Sequence, residues 1–258
     1  MSALDKAQVE RQFQRAASSY DQAAQLQRDI FLDLGNHLSP HILSPASIAD
    51  LGCGTGFGLF EAKKQYPDAK LVGVDISQAM LEQAKTSCSS AEFIKADMES
   101  LPLPNEQFDL VLSSSSLQWC DPRAAISEAA RVLQPRGHIA IATFGPKTHK
   151  EWKTAWTVAD TKEHTLNYPR LEDIEQIFEI QGIDLLKTKA QMCVLNFNTI
   201  AEVLQSVKDL GATNANTNRQ RGLMGKARFN RFLQAFNNSS SRPQLSYEVL
   251  FLIGQKQD

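Results

Sequence analysis

The stretch Asp50-Leu51-Gly52-Cys53-Gly54-Thr55-Gly56 follows an apolar run, Ser47-Ile48-Ala49, and leads into a helical pattern. That is the layout of a ligand loop at the carboxyl end of a first parallel strand. Glycines there permit a tight turn and bring backbone close to a ligand. Asp75 lies 75 − 54 = 21 residues past Gly54, at the end of a second strand-like run, Lys70-Leu71-Val72-Gly73-Val74. An acid at about that interval accepts hydrogen bonds from ribose hydroxyls. A third run, Ala91-Glu92-Phe93-Ile94-Lys95-Ala96, ends in Asp97, and a fourth, Phe108-Asp109-Leu110-Val111-Leu112, ends in a serine tract, Ser113 to Ser116. Polar strand ends after a glycine loop are expected where the carboxyl ends of parallel strands meet a ligand.

A dinucleotide fingerprint requires G-x-G-x-x-G, which seats pyrophosphate on a helix N-terminus. The glycines here fall at 52, 54, 56 and 58, and neither register fits: the sixth position is Phe57 from Gly52 and Leu59 from Gly54. The second acid, Asp97, followed by Leu101-Pro102-Leu103-Pro104 and Phe108-Asp109, also departs from that fingerprint. From Ala46 to Gly145 this set resembles the class I S-adenosylmethionine methyltransferases. The resemblance implies an α/β, Rossmann-like sheet, mostly parallel with a reversed last strand and helices on both faces. It implies S-adenosylmethionine as cofactor, with the glycine loop near its methionine part, Asp75 on the ribose and Asp97 on the adenine amine. The cofactor-binding set carried over is Asp50, Gly52, Gly54, Gly56, Asp75, Ile76, Met80, Asp97, Met98 and Ser113. Arg28 is a candidate for the cofactor carboxylate; a solvated helix face is the plainer reading. Ser114 departs from the asparagine expected after strand four.

The chain has 258 residues, 42% of them hydrophobic, which suits one domain of generous size. We read residues 1–258 as a single methyltransferase domain: N-terminal helices forming a lid (1–45), a cofactor core (46–145), recognition elements (146–242) and a last strand (243–258). A net charge of −2 argues against a nucleic-acid binder by bulk charge. The four cysteines, Cys53, Cys88, Cys120 and Cys193, show no C-x-x-C, as expected of reduced thiols in a cytoplasmic protein rather than a disulfide frame or zinc site. His37, His41, His149 and His164 lack metal-ligand spacing, so no metal is expected, and His138 reads as structural. The absence of a long apolar run, and of a signal pattern at Met1-Ser2-Ala3-Leu4-Asp5, argues against a membrane partner. A monomer is expected.

Apolar spacing predicts two helices within 5–38, further helices at 58–65, 77–87 and 122–133, and a fifth strand at 137–144. Ser77 reads as an N-cap and Pro122 as a helix start. After Gly145 the pattern predicts helices at 149–162 and 171–180, a strand within 183–196, helices from Thr199 and near 226–236, and a last strand from Leu245 to Gly254.

The flanks narrow the resemblance. Phe13-Gln14-Arg15-Ala16-Ala17-Ser18-Ser19-Tyr20-Asp21, Leu117-Gln118-Trp119, Thr143-Phe144-Gly145, Gly211-Ala212-Thr213-Asn214 and Ser246-Tyr247-Glu248-Val249-Leu250-Phe251 together resemble the malonyl-acyl-carrier-protein O-methyltransferases of the biotin pathway, nearly end to end. That implies esterification of a carboxylate by methyl transfer, with a malonyl-loaded acyl carrier protein as substrate. A carboxylate is already ionised and needs no general base, which agrees with the lack of an obvious His–acid or Cys–His pair. The candidate catalytic residues are Tyr20, Gln118, Trp119 and Phe144; core packing is the alternative for each aromatic. A substrate carboxylate calls for a cation, and Lys147, Arg170 and Arg123 are equal candidates. Residues 208–242 carry seven basic side chains and one acid, +6 in a chain of −2. Arg219, Arg221, Lys226, Arg228 and Arg231 are therefore candidates for docking an acidic carrier protein. The rival functions are methylation of a free small acid such as an aconitate-like molecule, and a non-catalytic cofactor-binding partner protein.

Overall fold

The computed structural model describes residues 5–42, 44–161, 164–209, 225–237 and 242–258. Three helices precede the sheet: α1 (Lys6–Ala16), α2 (Tyr20–Ala23) and α3 (Gln25–Leu38). The pattern predicts two. The extra break lies at Ala24, whose backbone (φ −89°, ψ 26°) leaves the helical region, so Tyr20 opens a short helix of its own. Asp5 caps α1 by accepting from Gln8 N–H at 3.0 Å.

The alternating core follows as β1 (Ser47–Leu51), α4 (Phe57–Gln65), β2 (Lys70–Asp75), α5 (Gln78–Ser87), β3 (Glu92–Lys95), β4 (Phe108–Ser114), a single 3-10 turn (Leu117–Trp119), α6 (Pro122–Val132) and β5 (Leu133–Phe144). Ser77 caps α5, accepting from Met80 N–H. Strand β5 starts four residues earlier than its sequence pattern predicts, at Leu133 instead of Gly137. Pro135-Arg136-Gly137 forms an irregularity inside the strand: pairing with β4 jumps from Phe108↔Leu133 to Leu110↔His138, and Arg136 takes φ +62°. Beyond β5 come α7 (Lys150–Ala159), α8 (Leu171–Ile180), β6 (Ile183–Asn196), α9 (Ile200–Asp209), α10 (Lys226–Asn237) and β7 (Gln244–Lys256).

The strands form one sheet in the order β3-β2-β1-β4-β5-β7-β6. Strands β1 to β5 pair in parallel, while β7 is antiparallel to both of its neighbours. The central strands are buried almost continuously, and successive side chains point to opposite faces and feed two cores, one on each. Ala140, Ala142 and Phe144 of β5 join the core that includes α3, α4, α7 and α10 side chains. Ile139 and Ile141 join the opposite core with α6 and α8. Strand order reverses between β1 and β4, which opens a crevice at their carboxyl ends.

Helix α10 packs on α7. Phe232 lies against Trp156 at 4.3 Å and Trp152 at 4.9 Å between ring centres. Two of the expected docking cations also bond to α7 and its end: half-buried Arg228 Nη1 lies 3.3 Å from Asp160 Oδ2, and Nη2 of the exposed Arg231 donates to the Ala159 carbonyl at 3.0 Å. They close the carboxyl end of α7, where unpaired carbonyls attract cations. Lys226 is exposed. Arg219, Arg221 and the Gly211–Asn214 element lie outside the described residues.

Candidate active site

The crevice holds two adjoining cavities that share Tyr20, Gly52 and Gly54. The glycine loop is the partition between them, and its backbone explains why. Gly52 takes φ +77° and a side chain there would run into Ser116. Gly54 takes φ +52° with open space where a Cβ would sit. Both are left-handed conformations that cost other residues energy. Gly56, the N-cap of α4, packs on Ala84 outside both cavities.

On one side lies a small polar cavity lined by Tyr20, Asp21, Arg28, Asp50, Thr55 and Ser114, among others. Asp50 is 3% exposed. Burial, reinforced by the charge of Asp75, pushes its carboxyl up to about 7. Arg28 reaches Asp21 at 3.4 Å and lies over the Phe57 ring at 5.5 Å, so it is not the free surface cation of the plainer reading. Its Nε is buried without a hydrogen-bond partner, as is the Ser114 hydroxyl. Thr55 Oγ1 donates to Asp21 Oδ1 at 2.7 Å and ties α2 to the glycine loop.

On the other side lies a longer, more apolar cavity lined by Lys6, Val9 and Phe13 of α1, by Asp75, Ile76, Met80, Asp97 and Met98, and by Ser115, Ser116, Trp119 and Cys120. Asp75 Oδ2 accepts from Gly54 N–H at 3.0 Å and Oδ1 from Ser77 N–H at 2.8 Å. Burial raises its carboxyl to about 6, against those backbone donors. The Ser115 hydroxyl is buried and unpartnered. Trp119 meets Phe13 edge-on at 5.4 Å, and Phe13 meets Tyr20 at 6.4 Å, an aromatic line from roof to glycine loop. Burial raises the Tyr20 phenol and pushes the Cys120 thiol to about 12, so both stay protonated.

Besides Gly56, three expected residues stand elsewhere. Ser113 faces the interior, its hydroxyl donating to the Leu51 carbonyl at 2.9 Å; Ser114, one residue on, faces the polar cavity. Gln118 is buried and lines neither cavity, donating to the Ser115 carbonyl at 2.6 Å and accepting from Thr143 Oγ1 at 3.3 Å. Phe144 belongs to a separate aromatic group with Tyr168 at 6.3 Å and Tyr247 at 5.6 Å. Of the candidate cations, Lys147 is 72% exposed and paired with Glu248 at 3.0 Å, and Arg123 and Arg170 are exposed. Lys153, unremarked in sequence, lies 5.1 Å over the Tyr168 ring. Lys6, Asp21 and Thr55 were equally missed. Asp21 adjoins Tyr20 and Thr55 sits inside the glycine loop, so their neighbours were a signal; Lys6 had none.

The donor set fits S-adenosylmethionine. Its amino-acid portion carries an ammonium and a carboxylate, and the polar cavity presents a buried carboxylate and a guanidinium with an unpartnered nitrogen. Its nucleoside needs acceptors for ribose hydroxyls and an amine, and the second cavity presents Asp75 and Asp97.

A family model described as a methyltransferase domain matches residues 49–141, the span from β1 to β5. The geranyl diphosphate C-methyltransferase of Streptomyces coelicolor A3(2), solved with S-adenosyl-L-homocysteine, shares the fold at TM-score 0.53 and 14% identity, over 88% of this chain and 78% of that one. Sheet, glycine loop and paired acids define an S-adenosylmethionine-dependent methyltransferase of the class I type. A malonyl-[acyl-carrier protein] O-methyltransferase of Dechloromonas aromatica is 33% identical over 97% of this chain and 95% of its own length. The biotin biosynthesis bifunctional protein BioHC of Saccharophagus degradans is 34% identical over 96% of this chain, which spans 46% of that longer protein. The chain belongs to the malonyl-[acyl-carrier protein] O-methyltransferase family.

Proposed function

We propose that the protein methylates the free carboxylate of a malonyl thioester on an acyl carrier protein, the ester that would initiate pimeloyl and biotin synthesis. The observation that carries this reading is the near-full-length similarity to the Dechloromonas aromatica enzyme, which extends through the recognition elements as well as the core. In this reading residues 1–258 work as one unit, with the helices before Ser47 as its lid and 146–242 as its substrate side.

When bound, S-adenosylmethionine supplies a methyl group on a positively charged sulfur. Asp50 and Arg28 hold the two charged ends of its amino-acid portion, Asp75 holds the ribose, and Asp97 accepts from the base amine. Gly52 and Gly54 allow the backbone to approach; Ile76, Met80 and Met98 pack on the nucleoside. Ser114, rather than Ser113, takes the polar position after β4. Tyr20 and Trp119 wall the acceptor side, and the protonated Tyr20 phenol donates to a substrate oxygen. Gln118 acts at one remove, holding the Ser115 turn. Phe144, with Tyr168 and Tyr247, lines the acyl path. The substrate carboxylate needs no base. Catalysis is then orientation, worth on the order of 7–11 kcal/mol, together with removal of water from the carboxylate. The ester cap deletes a charge that would be costly to bury in a chain-elongating pocket.

Carrier docking falls first to Lys226 with Arg219 and Arg221, while Arg228 and the exposed Arg231 also bond within the fold. The test is a labelled-methyl assay of the purified protein with malonyl-carrier protein, malonyl-CoA, free malonate and trans-aconitate. Ester on the malonyl thioesters alone is the expected result. Label on a free acid moves the assignment to a small-acid methyltransferase, and cofactor binding without any product to a non-catalytic partner protein.

A further inference from the structure

Lys6 reaches the base end of the second cavity from α1, 91 residues away in sequence from the acid it meets. Its ammonium lies 3.1 Å from Asp97 Oδ1 and 2.5 Å from Glu99 Oε1. Asp97 Oδ1 also accepts from the Glu99 N–H at 3.1 Å. One oxygen of Asp97 is thus held twice, while Oδ2 has no such contact among the described residues and is the carboxylate's open acceptor. Glu99 Oε1 is itself anchored by the Asp121 N–H at 2.7 Å, at the start of α6. Asp97, Glu99 and Cys120 approach within 4.8 Å of one another. The thiol is kept neutral by burial. The lysine is therefore the counter-charge that lets two carboxylates share this corner.

We propose that Lys6 is a positioning residue through which the site selects a 6-aminopurine over a 6-oxopurine. This rests on the assignment of the cofactor's base to Asp97. An ionised carboxylate only accepts hydrogen bonds. A 6-amino group donates to it; a 6-oxo group presents a second acceptor and is rejected, as sites built around a hydrogen bond reject analogues lacking it. Lys6 holds Oδ1 and leaves Oδ2 aimed into the cavity. The same contact ties α1 over the cavity, so roof and base recognition share one bond.

The test compares affinities for S-adenosylhomocysteine and its 6-oxo analogue, S-inosylhomocysteine, read by fluorescence of Trp119 in the cavity wall. The wild type should prefer the amino ligand by roughly 100-fold or more, and Lys6→Met should cut that preference about tenfold. Lys6→Arg, which keeps the charge, should retain most of it. Glu10→Gln loosens a different tie of α1, the 2.7 Å pair with Lys95, and should weaken both ligands without changing their ratio. A wild-type ratio in Lys6→Met, with a collapsed ratio in Asp97→Ala, would overturn the role of Lys6 and leave the base assignment standing. An unchanged ratio in Asp97→Ala removes both. An equal loss of ratio in Glu10→Gln and Lys6→Met reduces Lys6 to one more tether of the helix and overturns the proposal.

Discussion

Asp50 and Asp75 change charge within the neutral range, because burial lifts them to about 7 and about 6. An acid whose folded pKa exceeds its unfolded value binds a proton on folding. Its stabilising contribution is present below the unfolded pKa, near 4, and is lost as pH rises through the folded value. Asp50 therefore costs the free protein stability at pH 8, and Asp50→Asn should raise apo stability there by on the order of 2–4 kcal/mol, read by thermal melts. The same substitution should abolish cofactor binding, since a neutral amide cannot pair with the ammonium. An unchanged melt at pH 8 would mean Asp50 is not held in the state described. Binding has the opposite pH sign. Cofactor donors select both acids ionised, so affinity for S-adenosylhomocysteine should fall as pH drops through 7 and more steeply through 6. A flat binding profile from pH 5 to 8 would contradict it. Asp75→Ala should weaken binding by about 1.5–3 kcal/mol, the range for a hydrogen bond to a charged group; wild-type affinity would remove the ribose assignment.

At the scale of elements, what was legible in sequence is what local chemistry determines. The glycine loop, the strand-end acids, the Ser77 cap and the helix near 226–236 are short-range patterns, and the fold places them as their local signals predict. What local pattern does not carry shares a cause. Ser113 and Ser114 differ by one step, and alternate residues of a strand face opposite sides, so a one-residue choice exchanges an interior serine for a cavity serine. Arg228 and Arg231 display their charge in sequence, but their partners at Asp160 and Ala159 lie about 70 residues away. Lys6 carries no local mark because its partners come from the end of β3. Helix α10 offers a test of its packing on α7. Phe232 is fully buried between Trp152 and Trp156. Phe232→Ala should cost about 3–5 kcal/mol and release α10 from α7, seen as faster proteolysis near 225–237. Cofactor affinity should persist, because α10 lines neither cavity. Loss of cofactor binding with α10 still protected would contradict this division.

Across the whole molecule, every cofactor contact proposed arises on the carboxyl side of β1 to β4 or from the N-terminal helices above it, on both flanks of the β1/β4 reversal. The excess positive charge falls in the sequence segment 208–242, whose described cations, Lys208, Lys226, Arg228, Arg231 and Arg242, line neither cavity, while the remaining chain carries −8. That separation predicts a difference between the two substrates. The cofactor is small and sits among buried groups, where salt screens weakly. On the proposed docking a carrier protein would meet cations such as the exposed Lys226, where a Debye length of about 8 Å at physiological salt screens strongly. Raising ionic strength from about 50 to 300 mM should therefore raise the apparent KM for malonyl-carrier protein several-fold, and shift the S-adenosylhomocysteine affinity far less. The triple variant Arg219→Glu, Arg221→Glu, Lys226→Glu should show the raised KM already at low salt and lose most of its salt dependence, with cofactor affinity unchanged. Carrier kinetics that respond to neither salt nor charge reversal would mean the basic segment is not the docking surface, and that the carrier is recognised through its malonyl arm at the aromatic wall alone.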